Sequence, residues 1–351
     1  MIAPAMPGVP GVAAAPQRLV VRAPNHLGEL VLALPALERS AARERAAGRP
    51  PPLLVVPAWL EPVCRMAGLD AGIFTLSPRR AVWRDARRLR RAARGSATDA
   101  VTLTPSFSSA LTLRLAGVRS LRGTAGGGRT WLLSESVDRS PLLEGHRVNE
   151  FLVLCGFDAQ DPPPPPTLRR ADPKGDSGTR RVALFPGANG PARRWPADRF
   201  AALARRLATR GIEVLVCGGP GDAALTAEVA AAPPAAARRI VDLGGRTTLL
   251  ELAEAVVSCD VFVTNDTGPM HLAAALGTSI VALEGPADLR QTRPLGDRVR
   301  TIGRFDLPCV PCVKNECPRR GAGYELAEAR RECMRLIEVD EVESVVNELL
   351  S

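Results

Sequence analysis

Short apolar runs recur along the chain, and each gives way to a stretch whose apolar positions return every three or four residues. Short apolar runs bounded by Pro, Gly or polar residues predict buried strands, and the longer repeat predicts amphipathic helices. In the first half the strands fall at 18–23, Leu53–Pro57, 73–76 and 100–103. Helices are predicted at 28–45, where Leu30, Leu34 and Leu37 share a face, and at 60–67, Phe107–Leu115 and 146–156. The glycine-rich stretch 123–133 reads as a loop followed by a short strand. The second half alternates more cleanly. Strands are predicted at 181–186, 213–217, 240–243, 260–264 and Ser279–Glu284, and helices at 197–210, 225–232, Leu249–Val257, 271–276 and 340–350. Such alternation means parallel sheets with right-handed crossovers, hence an α/β chain. Between the halves lie five consecutive prolines, Pro162 to Pro166, and a polar stretch up to Thr179. Polyproline spaces domains stiffly. The predicted division is a disordered tail (1–16), a first domain (17–160), a linker (161–179), a second domain (180–338) and a final helix (339–351). Ligands of open parallel sheets bind beyond the C-terminal ends of the strands, which places the expected site in the cleft where the two domains face each other.

A length of 351 residues with 46% hydrophobic content is enough for two domains with real cores. No run of 18 apolar residues is present, so no membrane-crossing helix is predicted. Residues 1–16 lack a charged start and a long apolar core, so they do not read as a signal peptide, and a cytoplasmic chain is expected. The net charge of +9 is unevenly placed. Residues 1–170 hold 23 arginines against 13 acidic residues, whereas residues 171–351 are close to neutral. The first domain therefore expects an anionic partner. Its densest run comprises Arg79, Arg80, Arg84, Arg87, Arg88, Arg90, Arg91 and Arg94. An anionic membrane surface, a phosphorylated lipid or nucleic acid fits this run, and a solvated helix face fits as well. Trp83 is its only aromatic residue, so a stacking platform for single-stranded nucleic acid is not expected. Of the eight cysteines, Cys309, Cys312, Cys317 and Cys333 cluster with spacing C-x2-C-x4-C-x15-C. Four thiolates could hold zinc or an iron–sulfur cluster, form a redox pair, or simply pack; the spacing matches no standard metal framework.

Three segments at strand-to-helix junctions carry candidate chemistry. In the last of them an apolar strand ends at Asn265-Asp266 and gives way to Thr267-Gly268-Pro269-Met270-His271 and an Ala/Leu helix. The open N–H groups of a helix start and its dipole favour an anion. Thr267 adds a hydroxyl, Gly268 permits close backbone approach, and His271 sits one turn in. An ordinary N-capped helix is the plain alternative. The middle segment, 185–196, has Gly187 and Gly190, then Arg193-Arg194, then Trp195-Pro196 opening a helix. Glycines expose amides and a fixed guanidinium can grip phosphate, so the two loops together suit a diphosphate. The first segment is Pro24-Asn25-His26-Leu27-Gly28-Glu29. The Gly218-Gly219-Pro220-Gly221 turn does not make a dinucleotide fingerprint.

At these residues the chain resembles the ADP-heptose:lipopolysaccharide heptosyltransferases of glycosyltransferase family 9, most of all their heptosyltransferase II branch. The resemblance rests on the three segments, on Arg122 to Leu133, on His146-Arg147-Val148-Asn149-Glu150-Phe151 and on the terminal cysteines with Cys333-Met334-Arg335-Leu336-Ile337; it covers residues from about 18 to the end. It implies a GT-B fold: two Rossmann-like domains, the first binding a lipid-linked core acceptor and the second a nucleotide sugar. It implies an inverting transfer of heptose from ADP-heptose to the inner core of lipopolysaccharide, without metal or cofactor, by a peripheral protein at the cytoplasmic face of the inner membrane. Asp266, Thr267, Gly268, Met270 and His271 fall on the family's diphosphate motif, Gly187 on the loop before it, and Arg193 on a basic contact that is usually Lys. Glu29 falls where the family has its proposed general base, usually Asp, and His26 replaces a usual Trp, which makes it a second candidate for the base or a partner to Glu29. These departures keep other readings open: a family member with another nucleotide-sugar donor, one that binds without transferring, or a nucleotide-sugar epimerase.

Overall fold

The alternation closes into two six-stranded sheets, both wholly parallel, in a computed structural model that describes residues 17–78, 81–93, 98–169, 178–319 and 331–351. The first unit runs β1 (Val20–Arg22), α1 (Leu27–Ala46), β2 (Leu53–Pro57), α2 (Glu61–Ala67), β3 (Gly72–Leu76), α3 (Val82–Ala92), β4 (Asp99–Thr102), α4 (Phe107–Leu115), β5 (Ser120–Thr124), β6 (Glu135–Val137) and α5 (Arg147–Leu154). The second runs β7 (Arg181–Phe185), α6 (Ala197–Thr209), β8 (Glu213–Val216), α7 (Ala223–Ala230), α8 (Pro234–Ala237), β9 (Ile240–Asp242), α9 (Leu249–Val257) and β10 (Val261–Asn265). It continues through α10 (Gly268–Ala275), β11 (Ser279–Glu284), α11 (Leu289–Thr292), β12 (Val299–Gly303), α12 (Glu332–Arg335) and α13 (Val339–Leu350).

Strand order is β3-β2-β1-β4-β5-β6 in one sheet and β9-β8-β7-β10-β11-β12 in the other, so the two units share one topology. Each winds in opposite directions from its first strand, and a crevice opens at that switch point, between β1 and β4 and between β7 and β10. In register, Val21 lies between Leu54 and Val101, and Val263 between Leu184 and Val281. Every residue of β10 and β11 is buried, which is why their middles, Val261 to Val263 and Ile280 to Leu283, read as apolar runs.

One apolar core crosses from unit to unit. Leu30, Leu34 and Leu37 of α1 share it with Phe151 of α5 and with Leu272, Ala273 and Leu276 on and after α10. The small residues of α10 let its backbone come close to α1. This seam, rather than a flexible tether, joins the two halves.

The proline-rich linker also differs from a free spacer. Leu168 N–H donates to Ala275 O at 2.8 Å in the second unit, and Arg169 N–H donates to Met66 O at 3.0 Å in the first. Residues 170–177 of the linker and the predicted tail 1–16 lie outside the described residues. The last helix belongs to the second unit, since Val342, Val346 and Leu350 of α13 share a core with Val263 and Leu283. Strands β5, β6 and β12 were not foreseen. The short strand expected at the end of 123–133 is a 3-10 turn, Thr130–Leu132, after glycines 126 to 128 at φ 105, 59 and 68°. Strand β6 is mostly exposed, as is β12 apart from Ile302, and both lie at sheet edges, where the hydrophobic alternation that marks a strand is not required. Among the described residues no helix is long and apolar enough to cross a membrane.

Candidate active site

The second unit's crevice is built around Asn265, the last residue of β10. Its buried side chain accepts from Trp195 N–H at 2.9 Å and donates to Pro186 O at 2.8 Å, so it clamps both ends of loop 186–195. Trp195 is itself buried, donates to Ile337 O at 2.9 Å and meets Phe200 edge-on with centroids 4.8 Å apart. Arg194 draws the loop inward by donating twice to Ala188 O, at 3.0 and 2.7 Å. The loop's 3-10 turn, Pro191–Arg193, then presents Arg193, whose Nη1 donates to Asp266 Oδ2 at 3.0 Å. Asp266 is buried; burial raises its pKa and Arg193 opposes the rise. Its carboxylate is therefore committed to holding the guanidinium, and a diphosphate would meet Arg193.

Thr267 is the N-cap of α10 and its side chain makes no capping bond; of the first three helical residues only Gly268 offers an N–H beside that hydroxyl, since Pro269 has none and Met270 N–H donates to Thr267 O at 3.1 Å. A Cβ at Gly187 would lie 2.4 Å from Asp222 Oδ2, the atom that accepts from Gly219 N–H at 3.1 Å, so a side chain there would displace that carboxylate. His271 is buried, and burial, with His146 as the smaller cause, pushes its pKa down to about 3. It is a neutral hydrogen-bonding group at ordinary pH. Met270 requires correction: it is fully buried in the interdomain core, so it packs beneath α10 and does not reach a ligand.

In the first unit His26 is the N-cap of α1, extended in backbone and exposed in side chain, and Glu29 stands in the first turn. A carboxylate there complements the helix dipole and still faces a polar hollow. Both residues line a cavity of about 350 Å³ whose other walls include Thr104, Ser106, Thr124, Arg139, Arg147 and Glu150. Arg139 Nε donates to Glu150 Oε1 at 2.8 Å, and Arg147 bonds the other carboxylate oxygen. Behind the wall Arg129 is wholly buried and donates to Thr104 O and to Thr124 O and Oγ1, the last two at 2.6 and 2.5 Å. Arg22, buried below Asn25, donates to that side chain and to Val55 O. Burial lowers the Arg22 pKa to about 10, and the group stays charged at neutral pH. Arg139 and Arg147 thus line a hollow whose own carboxylates are Glu29 and Glu150, and Arg22 and Arg129 lie buried behind it, an arrangement that attracts an anion.

The two crevices meet at two glycines. A Cβ on Gly268 would lie 2.9 Å from Leu27 Cβ and 3.1 Å from Gly28 N, and one on Gly28 would lie 2.8 Å from His271 Cδ2. The N-termini of α1 and α10 therefore touch, and the helix that carries Glu29 is brought against the helix that carries His271. His146 adds a polar stitch across the units: its Nε2 lies 3.0 Å from Arg293 O while Nδ1 accepts from Val148 N–H at 3.3 Å, which assigns the proton to Nε2.

The structure thus assembles Asp266, Thr267, Gly268, His271, Arg193 and Gly187 around one crevice and Glu29 with His26 around the other. The cysteines take no part in either. Burial, then the charges of Cys309, Cys312 and Cys317, raises the Cys333 thiol to about 11. Among the described residues no three His, Cys, Asp or Glu side chains are placed to hold a metal ion. Sequence reasoning did not single out the Asn265 clamp, the Arg139–Glu150–Arg147 cluster, Arg129 or Glu284. Arg147 and Glu150 carried a signal in their helical i,i+3 spacing. Glu284 carried another, as a charge ending the five apolar or small residues before it in β11; its carboxyl is buried with both oxygens unpartnered.

The description "Glycosyltransferase family 9 (heptosyltransferase)" matches residues 86–322. The lipopolysaccharide heptosyltransferase 2 of Escherichia coli K12 is 30% identical over 314 residues, covering 81% of this chain and 87% of that protein. The lipooligosaccharide heptosyltransferase 2 of Campylobacter jejuni is 33% identical over 144 residues, which spans 45% of its length. That of Haemophilus influenzae is 39% identical over 137 residues, 40% of its length, so these two matches cover less than half of each relative. Among solved structures, E. coli ADP-heptose LPS heptosyltransferase II superposes with a TM-score of 0.75 at 24% identity, covering 95% of this chain and 98% of that one. The fold is that of the GT-B heptosyltransferase structures, as expected.

Proposed function

The chain belongs to glycosyltransferase family 9, and on that footing we propose that it is an inverting heptosyltransferase, moving heptose from ADP-heptose to the inner core of lipopolysaccharide. One observation carries the reading: the contact of Gly28 with His271 and Gly268, which sets a half-buried carboxylate and an anion-binding helix start on either side of one cleft. The acceptor occupies the 350 Å³ hollow, where the guanidinium groups suit phosphorylated or acidic sugars. Glu29 takes the proton from the acceptor hydroxyl as its oxygen attacks the anomeric carbon. The bond from that carbon to the diphosphate breaks on the opposite face, and its electron pair leaves with ADP. Arg193, the Gly268 N–H, the Thr267 hydroxyl and neutral His271 stabilise the charge that develops on the diphosphate. In this reading they supply what a divalent cation would otherwise supply, and no cofactor takes part. The exposed His26 side chain shares the hollow with Glu29 and contacts the acceptor. The acceptor is lipid-borne, so the work takes place at the cytoplasmic face of the inner membrane.

The test is acceptor-dependent ADP release from ADP-heptose, with heptose-deficient lipopolysaccharide as acceptor and chelator present. The expected result is release that falls on the order of 10²-fold or more in Glu29→Gln. Release from the donor without acceptor, or none despite ADP binding, would refute the assignment in favour of a donor-only reaction or another nucleotide sugar.

A further inference from the structure

We propose that the first unit docks on an anionic lipid bilayer through an aromatic strip that crosses the outer ends of α3 and α4, and that this strip sets the acceptor hollow at the lipid surface. The inference deepens the transferase reading and rests on it for the acceptor's location.

Trp83 and Trp131 are 73% and 72% exposed, and Phe107 is 40% exposed. They form a continuous strip. Trp83, Val82 and Leu111 line an open, largely apolar hollow of about 580 Å³ between α3 and α4. Phe107 lies one helical turn before Leu111 on α4, and its ring centroid is 6.2 Å from that of Trp131. Large aromatic side chains are seldom left bare together on a protein that meets only water. The sequence run of arginines contains Trp83 alone, but the fold sets Phe107 and Trp131 beside it.

The strip lies on the outer layer of the first sheet. Ala86 and Leu89 of α3 and Ala110 and Leu113 of α4 pack on Val20, Leu53 and Val55, whereas α1 and the seam pack with the alternate residues Val21, Leu54 and Val56. The strip is therefore clear of the second unit. Each aromatic follows the C-terminal end of a strand: Trp83 after β3, Phe107 after β4 and Trp131 after β5. That is the edge on which the acceptor hollow opens, and Ser106, next to Phe107, lines the hollow.

Charge selects the partner. Helix α3 carries five arginines and one aspartate, and Arg84, Arg87, Arg90 and Arg91 are exposed. Arg88 is held by Asp85 at 3.0 Å and lies over the Phe74 ring, so it braces the helix. Tryptophan rings flanked by cations match the interfacial layer of a membrane rich in anionic headgroups. The apolar hollow takes acyl-chain contact, which nucleic acid would not supply. Arg79, Arg80 and Arg94 lie outside the described residues and are not needed for the argument.

The test uses the full chain and vesicles of phosphatidylglycerol and phosphatidylethanolamine, with phosphatidylcholine vesicles as the neutral comparison. The expected result is co-sedimentation with the anionic vesicles only, weakened by salt, with a blue shift of tryptophan emission. The double variant Trp83→Ser, Trp131→Ser should lose about tenfold or more in binding and most of the blue shift. The variant with Gln at Arg84, Arg87, Arg90 and Arg91 should lose about a hundredfold or more. Thermal midpoints equal to the parent's would show that both variants fold, and either variant alone is decisive. Transfer to acceptor embedded in vesicles should fall with binding, and transfer to a deacylated, water-soluble acceptor should not. Unchanged vesicle binding in either variant would overturn the proposal. So would equal binding to neutral vesicles, or a self-association of the parent that the tryptophan variant abolishes. Failure of transfer to either acceptor, with vesicle binding intact, would instead refute the transferase reading.

Discussion

Replacing Gly28 by Ala tests how closely the two helix starts must approach. The new Cβ would lie 2.8 Å from His271 Cδ2, 3.3 Å from Gly268 Cα and 3.7 Å from His271 Nε2. Carbon atoms in ordinary contact lie about 3.5–4.0 Å apart, so the nearest pair is short by roughly 0.7–1.2 Å. The His271 ring is buried and the atom beyond is backbone, so neither can swing aside cheaply, and most of the shortfall becomes a separation of α1 from α10. Stability should fall by no more than about 2–3 kcal/mol. Overpacking costs about 1–3 kcal/mol, while Ala in place of Gly inside a helix returns up to about 1 kcal/mol. Catalysis should change far more, because Glu29 is the next residue on α1 and a displacement of about 1 Å at a reacting group costs on the order of 10²-fold in rate. The assay is steady-state ADP release at saturating donor and acceptor, read beside the thermal midpoint. Gly145→Ala serves as control, since a Cβ there meets nothing within 4 Å. A Gly28→Ala protein that folds and turns over within about threefold of the parent would refute the argument that the seam sets the position of the base.

Three further outcomes follow from the same geometry. His271 is held neutral with its pKa pushed down to about 3, so the unfolded chain binds its proton first as pH falls. Stability should then decline below the unfolded value of about 6.5, by up to about 1.4 kcal/mol per pH unit, and His271→Asn should flatten that slope in denaturant titrations; equal slopes would refute it. Glu284 has the opposite sign. Burial first, and the Asp266 charge second, raise its pKa well above the ordinary value, so the folded state holds the proton longer and loses stability as pH rises from about 4.5. Glu284→Gln should therefore raise the thermal midpoint at pH 8 and leave it nearly unchanged at pH 4, whereas an equal shift at both would mean that packing alone is involved. Finally, Glu150→Gln breaks the bridge between Arg139 and Arg147 and leaves those cations of the acceptor wall less well paired. We expect KM for the acceptor to change severalfold with KM for ADP-heptose unaltered, and a change confined to the donor would place the hollow's role elsewhere.

The reach of the sequence depended on whether a residue's duty was local. The inner strands of the second sheet were legible because both of its faces are covered, and β10 and β11 carry the uninterrupted apolar stretches Val261 to Val263 and Ile280 to Leu283. The edge strands β6 and β12 were not, because exposure removes the hydrophobic periodicity on which recognition depends. The start of α10 could be found from Asp-Thr-Gly followed by His271, because the signal for a strand end and a helix start is local. What that motif could not disclose was the division of labour inside it. Asp266 and Arg193 are 73 residues apart in sequence, and only their meeting at 3.0 Å makes the aspartate a holder of the cation rather than a ligand of the diphosphate. Asn265 likewise reads as a strand end, yet its two bonds to Trp195 and Pro186 fix the loop that carries Arg193. Met270 shows the converse error, where membership of a motif suggested contact and burial shows packing. The same reasoning bears on Glu29. Its identity as a carboxylate at a helix start was legible, but its relation to the donor depends on Gly28 and Gly268 touching across 240 residues of chain, a contact set by the apolar packing of Leu30, Leu34, Leu272 and Ala273. Glu29 is thus positioned by the core that joins the two units. Substitutions deep in that seam should consequently alter turnover without touching either substrate.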